Sequence, residues 1–227
     1  YNSSTGTGLG ALLRLERLRG GPPGLHADPR TMAFIQCDQD FADALDEAWR
    51  TSRLAETGAC VVWGLYDEEE TLDHVKGGSL GAALAVGLDD LSPRTRMGRV
   101  LRRRTLNPAC AVTGRVEGRQ ILPVQGYEGK LRAAADKHWR VVVPEESREE
   151  INEIRFRLSG SPDVVFARTV PQAIRAVRSR ANKKLMITVL VVILVLAGVG
   201  GGAAVVNTVR QRQIRAQELR TSAAELA

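Results

Sequence analysis

Aromatic residues make up only 4% of the 227-residue chain, and cysteine occurs three times, at Cys37, Cys60 and Cys110, with no CxxC pair. An odd, widely spaced set of this kind argues against a disulfide scaffold, a zinc ribbon and a dithiol redox motif, and it suits a reducing compartment for the folded part. No G-x-x-x-x-G-K-[ST] stretch is present, so the chain carries no P-loop ATPase, and Gly6, Gly8 and Gly10 do not make a dinucleotide fingerprint. His26, His74 and His138 stand apart from one another, so neither a metal nor a cofactor is expected. Tyr1 stands where an initiator Met would, and no charged n-region with an apolar h-region follows it. The expectation is a piece of a longer chain, without a signal peptide. No internal repeat is visible.

What the chain does have is a net charge of +6 and 44% hydrophobic residues, which place it outside the disordered and collagenous classes. The length allows one ordinary domain with appendages, or two small ones. From Leu185 to Val209 there is no charged residue, and the apolar part, 185–206, is 22 residues long. As a helix it would reach roughly 33 Å, enough for a hydrocarbon core of about 30 Å, so a single transmembrane helix in the lipid bilayer is expected there. Gly198 and Gly202 give it a GxxxG spacing. Arg168, Arg175, Arg178, Arg180, Lys183 and Lys184 precede this stretch and Arg210, Arg212, Arg215 and Arg220 follow it. That bias places the N-terminal part on the cytoplasmic side of a single-pass membrane protein. Residues 207–227 read as a helical juxtamembrane tail.

Residues 1–30 mix Gly, Ser and Pro with a short LLRLERL run and read as a lead-in arm or linker. From there strand and helix patterns alternate to about residue 181. TMAFIQC and ACVVWGLY read as strands, and QDFADALDEAWRTSRLAE reads as a helix with Phe41, Leu45 and Trp49 spaced by four. Such alternation defines an α/β (α+β) domain over 31–181.

Gly77-Gly78-Ser79-Leu80-Gly81 matches the G-x-S-x-G nucleophile elbow in letters, but TLDHVK before it is a poor strand and His138 is the only histidine downstream. What the local pattern supports is a serine opening an apolar helix after two glycines. Ser79 then either caps the helix N-terminus or acts as a nucleophile, with the amides around Gly78 and Leu80 stabilising an oxyanion.

Read together, VKGGSLGAALAVGL (75–88), AVTGRV (111–116), ILPVQGYEGKLRAAADKHWRVVVPEES (121–147) and DVVFARTVPQAIRAV (163–177) resemble the proteolytic domain of Lon proteases. The resemblance covers about residues 31–180. It implies a Lon-like fold, a peptide or protein substrate, self-association of the kind that builds rings, and a Ser-Lys dyad. Carried over residue by residue, Ser79 falls on the catalytic serine and Thr113 on the threonine of the family's Thr-Gly strand. Aligned without a gap, the family's lysine falls on Glu128, and its acid three positions before the serine falls on Lys76. A glutamate is a weak base toward a hydroxyl unless burial raises its pKa. The expectation is therefore a charge swap in which Lys76 and Glu128 pair across the site, either as an inert ion pair or with Lys76 as a relocated base for Ser79. Lys130 is set aside, because two residues along a helix turn a side chain by about 200° from position 128.

The stretch 92–107 carries Arg94, Arg96, Arg99, Arg102, Arg103 and Arg104 without an acid. It lacks aromatics for base stacking, so no nucleic acid partner is expected, and a solvated face or a contact with anionic lipid is the reading kept. The functional expectation is a membrane-anchored, Lon-like serine peptidase impaired by Glu128. Its alternative is an inactive Lon-like interaction or sensing module that signals through the membrane helix.

Overall fold

A computed structural model describes residues 10–66, 74–92, 104–158, 160, 162–178 and 180–181. The chain divides into two units, 1–99 with 104–180, and 100–103 with 181–227. Ala181 alone represents the second unit among the described residues.

The first sheet is built from β1 (Leu12–Leu18), β2 (Gly24–Ala27) and β4 (Cys60–Tyr66), in the order β1-β4-β2. The central β4 is apolar on both faces, as a strand covered from two sides must be. It pairs antiparallel with β1 over seven residues and parallel with β2 over four. Residues 1–30, expected as a lead-in arm, thus supply both outer strands of this sheet. Alternation in β1 is real, but its inward positions Leu13 and Leu15 are separated by Arg14 and followed by Glu16, and so short a run gives a weak signal. The expected strand over TMAFIQC is replaced by helix α1 (Pro29–Met32) and the two-residue β3 (Gln36–Cys37). Asp28 causes the change: it accepts from the Arg30 N–H at 3.0 Å and caps a helix that opens on Pro29.

Helix α2 (Gln39–Arg50) forms where the spacing of Phe41, Leu45 and Trp49 places it, and α3 (Arg53–Glu56) follows after Ser52. Strand β5 (His74–Val75) pairs parallel with β3 and leads into a 3₁₀ turn, Gly78–Leu80, continued by α4 (Gly81–Leu91). Helix α4 is apolar almost all round. Its Ala82, Leu84 and Leu88 are fully buried in one cluster with Val61 of β4, Val142 and Ala173, as an all-apolar helix requires.

After β6 (Arg104–Thr105), the second sheet combines β7 (Cys110–Val112), β10 (Arg140–Pro144) and β11 (Val164–Ala167) in the order β11-β10-β7, all parallel. Between β7 and β10 lie a hairpin, β8 (Arg115–Glu117) with β9 (Gln120–Leu122), and helix α5 (Tyr127–Asp136). Helix α6 (Arg148–Arg157) packs with α5 around Tyr127, Leu131, Val141, Val143, Ile151 and Ile154. Helix α7 (Val170–Val177) returns to the core around α4, and β12 (Arg180–Ala181) ends the described chain.

The coarse mixture of helices and strands agrees with the α/β (α+β) pattern, but the expected class, a Lon-like fold followed by a transmembrane helix, needs correction. The strands fall into separate two- and three-stranded sheets, which does not establish a Lon-like architecture. Among the described residues no helix is long and apolar enough to cross a membrane. The longest, α2, has 12 residues, or roughly 18 Å. The stretch 185–206, the tail 207–227 and the arginines from Arg94 to Arg103 lie outside the described residues.

One glycine links the two halves of this core. Gly114, at the end of β7, has φ +149, and a Cβ placed there would lie 2.4 Å from Ile121 Cγ2. Gly114→Ala is expected to lower stability by about 2–4 kcal/mol through backbone strain and overpacking, read as the midpoint shift in urea unfolding.

Candidate functional site

The glycine turn before Ser79 is held from outside. Gly77 takes φ +75, a conformation that favours glycine, and its N–H donates to both carboxylate oxygens of Asp38 at 3.1 and 3.0 Å. The same carboxylate caps α2 by accepting from the Phe41 N–H at 2.9 Å, and the Asp38 N–H donates to the Val75 carbonyl at 3.3 Å. Asp38 therefore ties β5, the glycine turn and α2 together. Sequence reasoning missed this residue, although an Asp directly before a periodic helix is a capping signal.

Ser79 sits half-buried in the 3₁₀ turn, and neither that turn nor α4 has a side-chain cap. The capping reading of Ser79 is thus not realised. The Gly77 amide is committed to Asp38 and the Gly81 amide to the Gly78 carbonyl. Between them lie the amides of Gly78, Ser79 and Leu80, in the first turn, where a helix supplies fewest acceptors. The Ser79 carbonyl accepts from the Gly114 N–H at 3.0 Å, and the Gly114 carbonyl accepts from the Ala82 N–H at 2.9 Å. Thr113 is thereby set beside the serine turn. It is 8% exposed, and its hydroxyl has no hydrogen-bond partner among the described residues.

Ser79, Leu80, Thr113 and Lys76 line one cavity of roughly 840 Å³, walled by β1, α4 and β7. The fourth wall departs from expectation. Glu128 does not line the cavity: it is exposed on α5 and bridges Arg132 at 3.0 Å. Lys130 lines it instead. The 200° turn that separates the two positions had set Lys130 aside; since position 128 faces solvent, the same turn brings position 130 inward. Nor do Lys76 and Glu128 pair, because Lys76 is exposed at the cavity mouth and makes no ion pair among the described residues.

The Lys130 ammonium donates to the Gln125 carbonyl at 2.7 Å and lies 5.6 Å from the centre of the Tyr127 ring. Burial disfavours its charged form and pulls its pKa down to about 8, against the opposing pull of the Glu150 carboxylate. Cys110, on the same cavity, is pushed up to about 11, mainly by burial, so it stands as a thiol at neutral pH. Cys37, Cys60 and Cys110 are all unpaired. Among the described residues no group of three or more His, Cys, Asp or Glu is placed to hold a metal ion.

Chemically, the cavity offers a hydroxyl free of capping duty, an amine whose proton is loosely held, and a turn with amides at its opening. No family model matches the chain, and no curated protein matches it. The arrangement of these groups is therefore what speaks to function.

Removing the external anchor should show first in stability. Asp38→Ala is expected to cost about 1–2 kcal/mol, as loss of a helix cap does, and Asp38→Asn less, because Asn also caps. Chemical denaturation of the two variants against wild type measures the difference.

Proposed function

We propose that the chain is a serine peptidase in which Ser79 is the nucleophile and Lys130 the general base. The observation that carries this reading is that Lys130, buried enough to titrate at about 8, lines the same cavity as the uncapped Ser79. In the reaction the neutral Lys130 amine takes the Ser79 hydroxyl proton as Oγ attacks a peptide carbonyl. The charge gathered on the carbonyl oxygen meets the amides opening the 3₁₀ turn, at Gly78 to Leu80. Collapse of the adduct breaks the C–N bond, and the proton on Lys130 passes to the departing amine. Water then attacks the Ser79 ester, gives up a proton to Lys130 and releases the acid as Ser79 recovers its hydrogen. Thr113, beside the serine, offers an unpartnered hydroxyl to this proton traffic. Glu128, on the outer face of α5, has no part in it.

One observation favours a second reading, an inactive interaction module. The Lys130 ammonium donates to Gln125, and no hydrogen bond joins it to the Ser79 hydroxyl among the described residues.

A serine-directed fluorophosphonate probe separates the two. On the peptidase reading Ser79 is labelled, Ser79→Ala abolishes labelling and Lys130→Met slows it by at least about 100-fold, the usual worth of a general base. Glu128→Gln and Lys76→Met leave the rate within about two-fold of wild type. Because the free amine is the active form, the labelling rate should climb as pH rises through about 8 and level off above it. A folded wild-type protein that takes no label overturns the peptidase reading in favour of the module.

A further inference from the structure

Behind the cavity wall lies a pair of buried hydroxyls that the reaction itself does not use. Tyr127 is 1% exposed and Ser147, in the turn after β10, is 4% exposed. Their oxygens are 2.7 Å apart, and the Tyr127 oxygen also accepts from the Val124 N–H at 3.0 Å. This clamp ties the first residue of α5 to the turn that opens α6, and both to the corner preceding α5. One residue along that corner, the Gln125 carbonyl accepts from Lys130 Nζ at 2.7 Å. The Tyr127 ring lies 5.6 Å from the same nitrogen. One side chain thus touches the lysine through its face and sets, through its hydroxyl, the carbonyl that aims it.

We infer that Tyr127 is a positioning residue for Lys130, its hydroxyl locking the Val124–Gln125 corner so that the Gln125 carbonyl holds the amine at the cavity wall. The inference rests on reading Lys130 as the base. A buried N–H that loses its acceptor must find another partner or water, so removing the phenol oxygen loosens the corner and hydrates Lys130. Hydration favours the ammonium and raises the pKa. The other ionisable groups about Lys130 are Glu150 of α6, whose carboxylate favours the ammonium, and Arg14, His74, Lys76, Asp90 and Cys110 on the other cavity walls. Of these, only Glu150 also acts on Tyr127 itself, and both variants leave its carboxylate in place.

The test is trace labelling of lysines in the full 227-residue chain with acetic anhydride over a pH series, with the Lys130 peptide read by mass spectrometry. Wild-type Lys130 should titrate near 8. Tyr127→Phe, which keeps the ring, should raise the midpoint by about one unit, a ten-fold gain in proton affinity, toward the ordinary lysine value of about 10.4. Ser147→Ala, which leaves Val124 its acceptor, should raise it by less, and it carries the test alone if Tyr127→Phe does not fold. A wild-type midpoint already in the ordinary range, or a midpoint that neither variant raises, overturns the inference. Fluorophosphonate labelling of the same samples reports separately on Ser79. Its absence alongside an intact Lys130 shift would sink the peptidase reading and leave the clamp standing.

Discussion

The placement of the serine depends on one reciprocal pair of main-chain hydrogen bonds. The Gly114 N–H donates to the Ser79 carbonyl, and the Ala82 N–H donates back to the Gly114 carbonyl. Helix openings leave amides in search of acceptors, and here the far end of β7 meets one of them. The link puts Thr113 next to Ser79, and it requires a glycine at position 114, whose φ of +149 and closeness to Ile121 leave no room for a side chain. Helix α4 cannot readily slide to relieve a misfit, because Ala82, Leu84 and Leu88 are wholly buried in one cluster with Val61 of β4, Val142 of β10 and Ala173 of α7. Close-packed interiors transmit such displacements rather than absorb them. The position of Ser79 is therefore a property of the core, with Asp38 fixing the turn from its exposed side.

The chemistry of the cavity follows from desolvation acting on two groups of opposite type. Burial favours the neutral form of each. For Lys130 the neutral form is an amine with a lone pair, so burial makes it a base; for Cys110 it is a thiol, so burial makes it inert. The same cavity thus makes one nitrogen basic and one sulfur inert.

Features with strong local signals are legible in the order of the residues alone. Phe41, Leu45 and Trp49 at helical spacing mark α2, the unbroken apolar run marks β4, and Ser79 at the head of an apolar helix marks the serine turn. What escapes such reading is decided by long-range partners. Residues 12–18 become a strand because β4 offers an edge, and their own composition reads as a linker. Asp38 acquires its second duty from Gly77, 39 residues away. The choice between Glu128 and Lys130 turns on which face of α5 meets β10 and α6, since both positions lie within one turn. Tyr127, Leu131 and Ala134 mark the packed face; Glu128 and Arg132 lie to one side of it and Lys130 to the other. A gap-free match of letters carries no information about that rotation. Periodicity within α5 carries some: the spacing of Tyr127, Leu131 and Ala134 defines an apolar stripe that puts positions 128 and 130 on its opposite flanks.

Lowering the pKa of a lysine has two consequences that pull against each other. At pH 7 a lysine of pKa about 8 is an amine in about one molecule in ten, against fewer than about one in a thousand at the ordinary value. The gain in reactive form is thus more than about a hundred-fold. The cost falls on the fold. The unfolded chain binds the Lys130 proton more tightly than the folded one, so this group's contribution to stability rises with pH between about 8 and the ordinary lysine range, and at neutral pH the fold bears the penalty of a buried ammonium. The contacts around Lys130 divide accordingly. Attraction to Glu150 and to the Tyr127 ring depends on positive charge and vanishes on deprotonation, whereas a neutral amine still donates to the Gln125 carbonyl. The electrostatic ties moderate the penalty while the proton is on, and the directional one keeps the nitrogen in place when it leaves.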